Sequence, residues 1–305
     1  MHMAGYIIYN GFWNAVPSDP VRRLAVAAEA RGVVLTPIPN TALVMQTAPT
    51  VTVRTADGVA LTNNDFALFW DKDTRLALAL EDSGVRLYNS AAAVAACDDK
   101  NETHRRLAAG GVPMPRTLMA PMTYTEVTTA VEPFLSAAIQ TLGFPMVVKE
   151  CYGSFGRQVY LAQNEEQLRD YVYAMGARPF LLQEFVAASS GQDTRLYLVG
   201  DRVAAAIRRQ SDTDFRANVE LGGRATVYRP TEEEVALARR CQELLGLRFG
   251  AVDLLHDAQG HPLVCEVNSN AYMAGLSAAT GVDIADAIVE YVLQVEEKEA
   301  LHGGT

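Results

Sequence analysis

The chain is short of positive charge, of cysteine and of long apolar runs, and each shortage removes a class of protein. Lys and Arg number 26 against 36 Asp and Glu in 305 residues, for a formal charge of −10. Coating nucleic acid requires clustered Lys and Arg against the phosphates, so no nucleic-acid partner is expected. A small basic pocket for a phosphorylated ligand is untouched by that argument. No apolar run approaches the roughly 20 residues needed to cross a bilayer, so no membrane partner is expected. Residues 1–10 lack the basic start and small-residue cleavage site of a signal peptide. Cys97, Cys151, Cys241 and Cys265 are scattered with no C-x-x-C pair, which argues against a disulfide framework or structural zinc and fits a cytoplasmic setting. The five histidines are not at metal spacing. His256 and His261 flank a turn and are expected to face solvent.

What is present is ordinary globular material, 49% hydrophobic and 20% charged, long enough for two or three buried cores. Strand–helix–strand alternation through residues 6–9, 20–31, 33–38 and 66–70 predicts an N-terminal α/β domain over 1–95. A central lobe is expected over 96–186, with a helix over 98–109 and helical sequence over 125–142 despite Pro133. Strands follow at 145–149, 158–161 and 181–186. A C-terminal lobe over 187–295 holds two hairpins, turned at Gly200-Asp201 and over 257–260. Thr231 with Glu234, and Asn164 with Gln167, are capping-box spacings. The last helix is expected over 284–294, with 296–305 a frayed tail.

Three stretches carry chemistry. In Lys149-Glu150-Cys151-Tyr152-Gly153-Ser154-Phe155-Gly156-Arg157-Gln158-Val159, a strand ends in lysine, a loop with two glycines follows, and a second strand starts at once. Glycines admit phosphate oxygens to backbone N–H groups, and lysine adds a point charge. A Walker loop and a dinucleotide fingerprint both lead into a helix, so neither applies. Taken alone, these residues fit a plain hairpin with a flexible tip better than a phosphate loop.

The second stretch pairs Asp253 with Glu266-Val267-Asn268 across a hairpin. Alternation puts Glu266 and Asn268 on one face, where Asp253 can oppose Glu266. Two carboxylates and an amide oxygen are hard ligands suited to Mg²⁺; a solvated strand face is the other reading. The apolar flanks argue for burial on at least one side, where like charges repel unless a cation lies between them. The third stretch gathers Asp193, Arg195, Arg208, Arg209, Arg216 and Asn218. Adjacent Arg208 and Arg209 point to opposite faces, so only one shares a site with Arg195. A guanidinium there suits phosphoryl or carboxylate oxygens.

Together these stretches resemble the ATP-grasp superfamily, and within it the RimK-type α-L-glutamate ligases. The resemblance covers residues 87–295. It is carried by Tyr88-Asn89-Ser90 with Asp99-Lys100, by residues 111–115, by Lys149 with residues 153–156, and by Gln183-Glu184-Phe185-Val186 leading to Asp193-Thr194-Arg195. It continues through Asp214-Phe215-Arg216-Ala217-Asn218 with Gly222-Gly223, then Asp253 and residues 266–270. Where the family often has Pro and Gly, this chain has Glu150 and Gln158. The resemblance implies an α/β and α+β multidomain ATP-grasp fold, in which an N-terminal domain precedes two α+β lobes clasping ATP.

Residue by residue, it implies that Lys149, with the loop Gly153, Ser154, Phe155 and Gly156, faces the nucleotide phosphates, and that Lys100 contacts the nucleotide. Glu184, Phe185 and Val186 would form the hinge beside adenine, and Asp193 would lie near the ribose. Arg195 would line the cleft, Arg216 and Asn218 would approach the phosphates, and Arg209 would sit beside the reacting phosphoryl group. Asp253, Glu266 and Asn268 would hold Mg²⁺, with Mn²⁺ as a possible substitute. Tyr272 and Met273 are placed beside an acceptor pocket, and Trp13 and Trp70 in a core or interface. The implied enzyme is an ATP-dependent carboxylate–amine ligase: a carboxylate attacks the γ-phosphorus, and an amine displaces phosphate from the acyl phosphate. Its partners would be an amino acid and a peptide, protein or metabolite acceptor, in a chain that can form homo-oligomers. A nucleotide-binding regulator without turnover, or a phosphotransferase, are the competing readings.

Overall fold

The computed structural model describes residues 4–12, 17–62, 65–219 and 222–302. The N-terminal part contains β1 (Ala4–Tyr9), α1 (Asp19–Glu29), β2 (Val34–Pro39), β3 (Leu43–Gln46), β4 (Thr52–Thr55), β5 (Ala60–Leu61), β6 (Phe66–Trp70), α2 (Thr74–Asp82) and β7 (Arg86–Tyr88). Its main sheet is parallel, in the order β2-β1-β6-β7, while β3, β4 and β5 form a small antiparallel flap. Pro20 enters α1 in its first turn, where its missing N–H costs nothing, and Leu24, Ala27 and Ala28 bury one face. Trp13 lies outside the described residues.

Next come α3 (Ala91–Asp98), α4 (Lys100–Ala109), β8 (Thr117–Met119), α5 (Glu132–Leu142), β9 (Met146–Glu150), β10 (Val159–Ala162), α6 (Glu165–Ala174) and β11 (Phe180–Glu184). The central sheet runs β10-β9-β11-β8, with α5 and α6 packed on the face that carries Met146, Val148 and Leu182. The α-helical span at 125–142 is shorter than expected: Pro133 lies in the first turn of α5, and a single 3₁₀ turn precedes it at Thr129–Val131. Proline starts this helix rather than interrupting it. The expected capping box of α6 is half formed. Asn164 accepts from Gln167 N, but the Gln167 side chain reaches back to Gln163 N.

The C-terminal part contains β12 (Gln192–Val199), β13 (Arg202–Gln210), β14 (Arg224–Val227), α7 (Glu232–Leu245), β15 (Phe249–His256), β16 (Pro262–Asn268), α8 (Ala274–Thr280) and α9 (Ile284–His302). Its antiparallel sheet has the order β14-β13-β12-β15-β16. The box between Thr231 and Glu234 closes both ways at the start of α7, and Gly246, at φ 71°, ends it in the left-handed region that glycine takes without strain.

This sheet is buried on both faces. Leu196, Leu198, Val252, Leu254 and Val264 meet α7 and the α3–α4 corner. Tyr197, Val199, Ile207, Phe249 and Ala251 share the other core with α1, α9 and the sheet residues Ile7, Phe66 and Leu68. The helix α9 thus belongs as much to the first domain as to the last. It does not fray after Val295, because Glu296 is buried and accepts from Arg86 Nε (3.0 Å) and Tyr88 Oη (2.7 Å).

Candidate active site

The alternation that buries Tyr197 and Val199 on one face of β12 places Asp193 and Arg195 further along that face. Register then sets their neighbours: Asp193 lies opposite Arg209 on β13, Arg195 opposite Asp253 on β15, and Asp253 opposite Glu266 on β16. Apolar at one end, the face becomes a charged row at the other. Arg195 holds Asp253 with both Nε (2.7 Å) and Nη2 (2.6 Å). Arg209 grips Asp193 in the same forked way (2.7 and 2.6 Å) and reaches Asp253 at 3.0 Å. Such bidentate pairs are strong and directional. Burial works against a charged Asp253, but the two guanidiniums outweigh it and hold the carboxyl down at about 2. Glu266 is likewise disfavoured by burial, yet held below the usual carboxylate range by Lys100, whose Nζ is 3.3 Å away.

The repulsion argued from sequence between Asp253 and Glu266 is therefore answered by Arg195, Arg209 and Lys100. Arg209 is buried (3% exposed), whereas its neighbour Arg208 lies over the Tyr228 ring on the opposite face. The amide of Asn268 shares the strand face with Glu266, and its Nδ2 is buried without a hydrogen-bond partner. Among the described residues there is no group of three or more His, Cys, Asp or Glu that could hold a metal. Two carboxylates and one amide make up the candidate set. Their hard oxygens fit Mg²⁺.

Facing this row is the central lobe. Lys149 on β9 pairs in register with Val159 and Leu181, and its side chain is buried (6% exposed) with Nζ 3.7 Å from Cys265 Sγ. It forms no ion pair with any described carboxylate. The loop from β9 to β10 is held by Gln158, whose Oε1 accepts from Ser154 N, and by Lys72 Nζ, which donates to Ser154 Oγ. Glu150, the other departure from the family pattern, pairs with Arg178 at 2.8 Å and accepts from Tyr160 Oη. Phe155 is the one described non-glycine residue with positive φ (61°), a geometry that costs a side-chain-bearing residue roughly 1–2 kcal/mol. Arg216 ties the lobes together: Nη1 donates to the carbonyls of Gly156 (2.7 Å) and Val159 (3.2 Å), while Asp214 takes its other side. A Cβ on Gly156 would stand 2.8 Å from Asn218 Oδ1.

The strand-to-lobe connection brings Glu184, Phe185 and Val186 to the rim of the same cleft. The Glu184 carboxylate is turned outward, accepting from Arg116 N (2.8 Å) and Nε (2.6 Å), and Phe185 meets Phe215 edge to face. Lys100, at the start of α4, completes the lining with Asp193, Arg209, Asp253 and Glu266. The enclosed space is about 110 Å³. A wider cavity of about 690 Å³ adjoins it and shares Ser154, Asn218 and Glu266. It opens at the N-terminal domain, with Trp70 and Tyr272 in its wall. Met273, by contrast, is wholly buried in the core. His256 does not face solvent freely, since its Nε2 lies 2.9 Å from Glu234 Oε1. Burial pushes the Cys97, Cys151 and Cys241 thiols up to about 12, which suits packing and not nucleophilic work. Lys72 and Arg116 gave no sequence signal of a role here, because each acts through a partner far along the chain.

This arrangement, an N-terminal parallel sheet followed by two α+β lobes facing each other across a charged cleft, is the ATP-grasp architecture. The structure of a RimK domain ATP-grasp protein from Sphaerobacter thermophilus superposes with a TM-score of 0.70 at 23% identity, covering 95% of this chain and all of that one. The ATP-grasp ligase PsnB, solved with a phosphomimetic variant of its minimal precursor, Mg and ADP, superposes at 0.66 with 19% identity, over 96% of this chain and 99% of its own. The family model for the RimK-like ATP-grasp domain matches residues 97–292. A probable alpha-L-glutamate ligase of Xanthomonas euvesicatoria pv. vesicatoria (strain 85-10) is 36% identical over 236 residues, which is 74% of this chain and 76% of the relative. The chain belongs to the RimK-like ATP-grasp family, whose members are ATP-dependent carboxylate–amine ligases. Among the described residues, no helix is long and apolar enough to cross a membrane.

Proposed function

We propose that this chain joins a glutamate-like amino acid to a peptide, protein or metabolite acceptor, through an acyl phosphate and with release of ADP and phosphate. One observation carries the reading. Lys149 is a buried cation with no carboxylate partner, in a cleft whose other charges are matched among themselves. Burying an unpaired ammonium is costly, and an anionic ligand removes that cost. The polyphosphate of ATP supplies the anion, with Lys100, Ser154 and the backbone of Gly153 and Gly156 as its further neighbours.

Asp253, Glu266 and Asn268 would hold Mg²⁺, which when bound neutralises phosphoryl oxygens and orients them for transfer. For both carboxylates to turn to it, Lys100 has to release Glu266 and swing toward the phosphates. Arg195 and Arg209 keep Asp253 ionised meanwhile. Arg209, fixed by Asp193, presents its guanidinium edge to the cleft, where negative charge develops as the substrate carboxylate attacks the γ-phosphorus. No protein nucleophile is required; positioning and charge neutralisation do the work. Glu184, turned to Arg116, leaves the hinge backbone and Phe185 to face the adenine.

The test is product analysis with Mg-ATP and a panel of amino acids and acidic dipeptides. ADP, phosphate and a condensed product of the matching mass are expected, with ¹⁸O passing from substrate carboxylate to phosphate. AMP with pyrophosphate, or a phosphorylated substrate with no condensation, refutes the proposal.

A further inference from the structure

In the 690 Å³ cavity the charged side chains form pairs: Arg22 with Asp19 (3.7 Å), Lys72 with Asp98 (2.7 Å), Arg195 with Asp253 (2.6 Å), and Glu266 with Lys100 (3.3 Å). Asp71 is the exception. It is buried (5% exposed) and makes no ion pair with any described residue. Its Oδ1 accepts from Lys72 N (2.7 Å) and Asn10 Nδ2 (3.1 Å), Asn10 Nδ2 also lies 3.5 Å from Oδ2, and the Asp73 backbone N–H hydrogen-bonds the carboxylate as well, so every partner is neutral. Tyr9 and Trp70 are register partners on adjacent parallel strands, so Asn10 and Asp71 emerge side by side at the carboxyl ends of β1 and β6. That edge of a parallel sheet is where α/β domains bind ligands. A second acceptor waits beside it. Asn270 Nδ2 donates to the Asp71 carbonyl at 2.7 Å, and Asn270 Oδ1 is buried with no partner. Asp71 is thus hydrogen-bonded but without a counter-cation, and Asn270 Oδ1 beside it has no donor: a group with positive charge and several N–H bonds would serve both. A primary ammonium has three donors and no acceptor.

We propose that Asp71, with Asn270, binds a primary ammonium group of the amino-acid substrate, so that this cavity selects an amine-bearing compound in its charged form. The proposal rests on the ligase reading and deepens it. The bound ammonium is a recognition handle, since while protonated it has no lone pair with which to attack an acyl phosphate; the amino acid held here supplies the carboxylate that is phosphorylated, and the acceptor's free amine displaces the phosphate. Glu266 and Asn268 line the same cavity, which puts the handle and the phosphorylation site within one substrate volume.

Wild type and Asp71→Asn are compared by ADP release with Mg-ATP and each common amino acid, together with the des-amino analogue of the one used. Thermal melts check that the variant is folded. The variant is expected to raise KM for the amino acid about 10- to 100-fold, the loss of a charge-assisted hydrogen bond, with KM for ATP within about twofold of wild type. The des-amino analogue should be equally poor for both proteins. An unchanged KM for the amino acid in a folded variant overturns the proposal and leaves the ligase reading standing. If no amino acid supports ADP release by wild type, the ligase reading fails, and a direct probe decides. Methylammonium chloride titrated into the wild-type protein should shift the Asn10 and Asn270 side-chain amide resonances saturably, and tetramethylammonium should not. No saturable shift in wild type overturns the ammonium site, and this measurement does not depend on the variant folding.

Discussion

Replacing Asp253 by Asn separates the two tasks that this carboxylate is asked to perform. Asp193, Asp253, Arg195 and Arg209 form a quartet of zero net charge, with Asp253 almost wholly buried (2% exposed). The variant leaves one positive charge in excess, and of the two short bonds, of 2.7 and 2.6 Å, that neutralised Arg195 at most one is kept, to an uncharged acceptor. Breaking a buried pair by removing one partner costs about 3–5 kcal/mol. The Arg195 side chain retains some solvent contact (13% exposed) and the amide can still accept one bond, so about 3 kcal/mol is expected. Urea unfolding followed by fluorescence reads the loss. The double variant Arg195→Met/Asp253→Asn removes the stranded charge as well, while Arg209 keeps Asp193. It should recover about 1–2 kcal/mol of the single variant's loss, a coupling expected of direct neighbours. ADP release should be abolished in both, because the negative charge with which Asp253 would hold Mg²⁺ is absent from both. A single variant within about 0.5 kcal/mol of wild type, or a double variant as unstable as the sum of the two singles, would refute the reasoning.

Two further outcomes follow from the same geometry. Burial, helped by the charge of Lys149, holds His104 neutral with its pKa lowered from 6.5 to about 4. The unfolded chain therefore takes up a proton first, and the stability that neutral His104 provides, complete above about pH 6.5, should drain away toward pH 4; His104→Gln should flatten that slope in urea midpoints measured across the range. Gly156→Ala should raise KM for ATP about tenfold or more, since its φ of +70° and the 2.8 Å approach to Asn218 Oδ1 leave a Cβ no room without moving the loop; an unchanged KM would mean that the loop does not close over the nucleotide.

The hairpin that opposes Asp253 to Glu266 was legible from alternation and turn chemistry alone, since both are local properties of the strand. The same local rule separated Arg209, inside, from Arg208, outside. The box at Thr231 and Glu234 was equally plain, because both partners lie within one helical turn. Helix α3, Ala91–Asp98, gave no such signal: five of its residues are buried, and an alanine-rich segment covered on several sides shows no amphipathic period. The resting partners of the charged row were hidden for a different reason. Lys100 meets Glu266, and Arg116 meets Glu184, across gaps in sequence that no spacing rule spans. Asp71 was invisible because a single Asp after a strand is ordinary. Only the pairing of every other charge around it makes it stand out.

The placement of α9 bears on how the chain reaches this fold. Arg31 pairs with Asp286, a partner 255 residues away, and Arg86 pairs with Glu296, 210 residues away. The β2-β1-β6-β7 sheet thus leaves the ribosome with part of its core still to be supplied by a helix made long afterwards. Contacts of such sequence separation form slowly, because the intervening chain must be closed into a loop first. Until residues 284–302 emerge, Val21, Leu24 and Ala28 of α1 lack part of the surface that buries them. Nascent chains halted near residue 280 should therefore expose an apolar face and need a chaperone's cover. The first domain is read first and finished last.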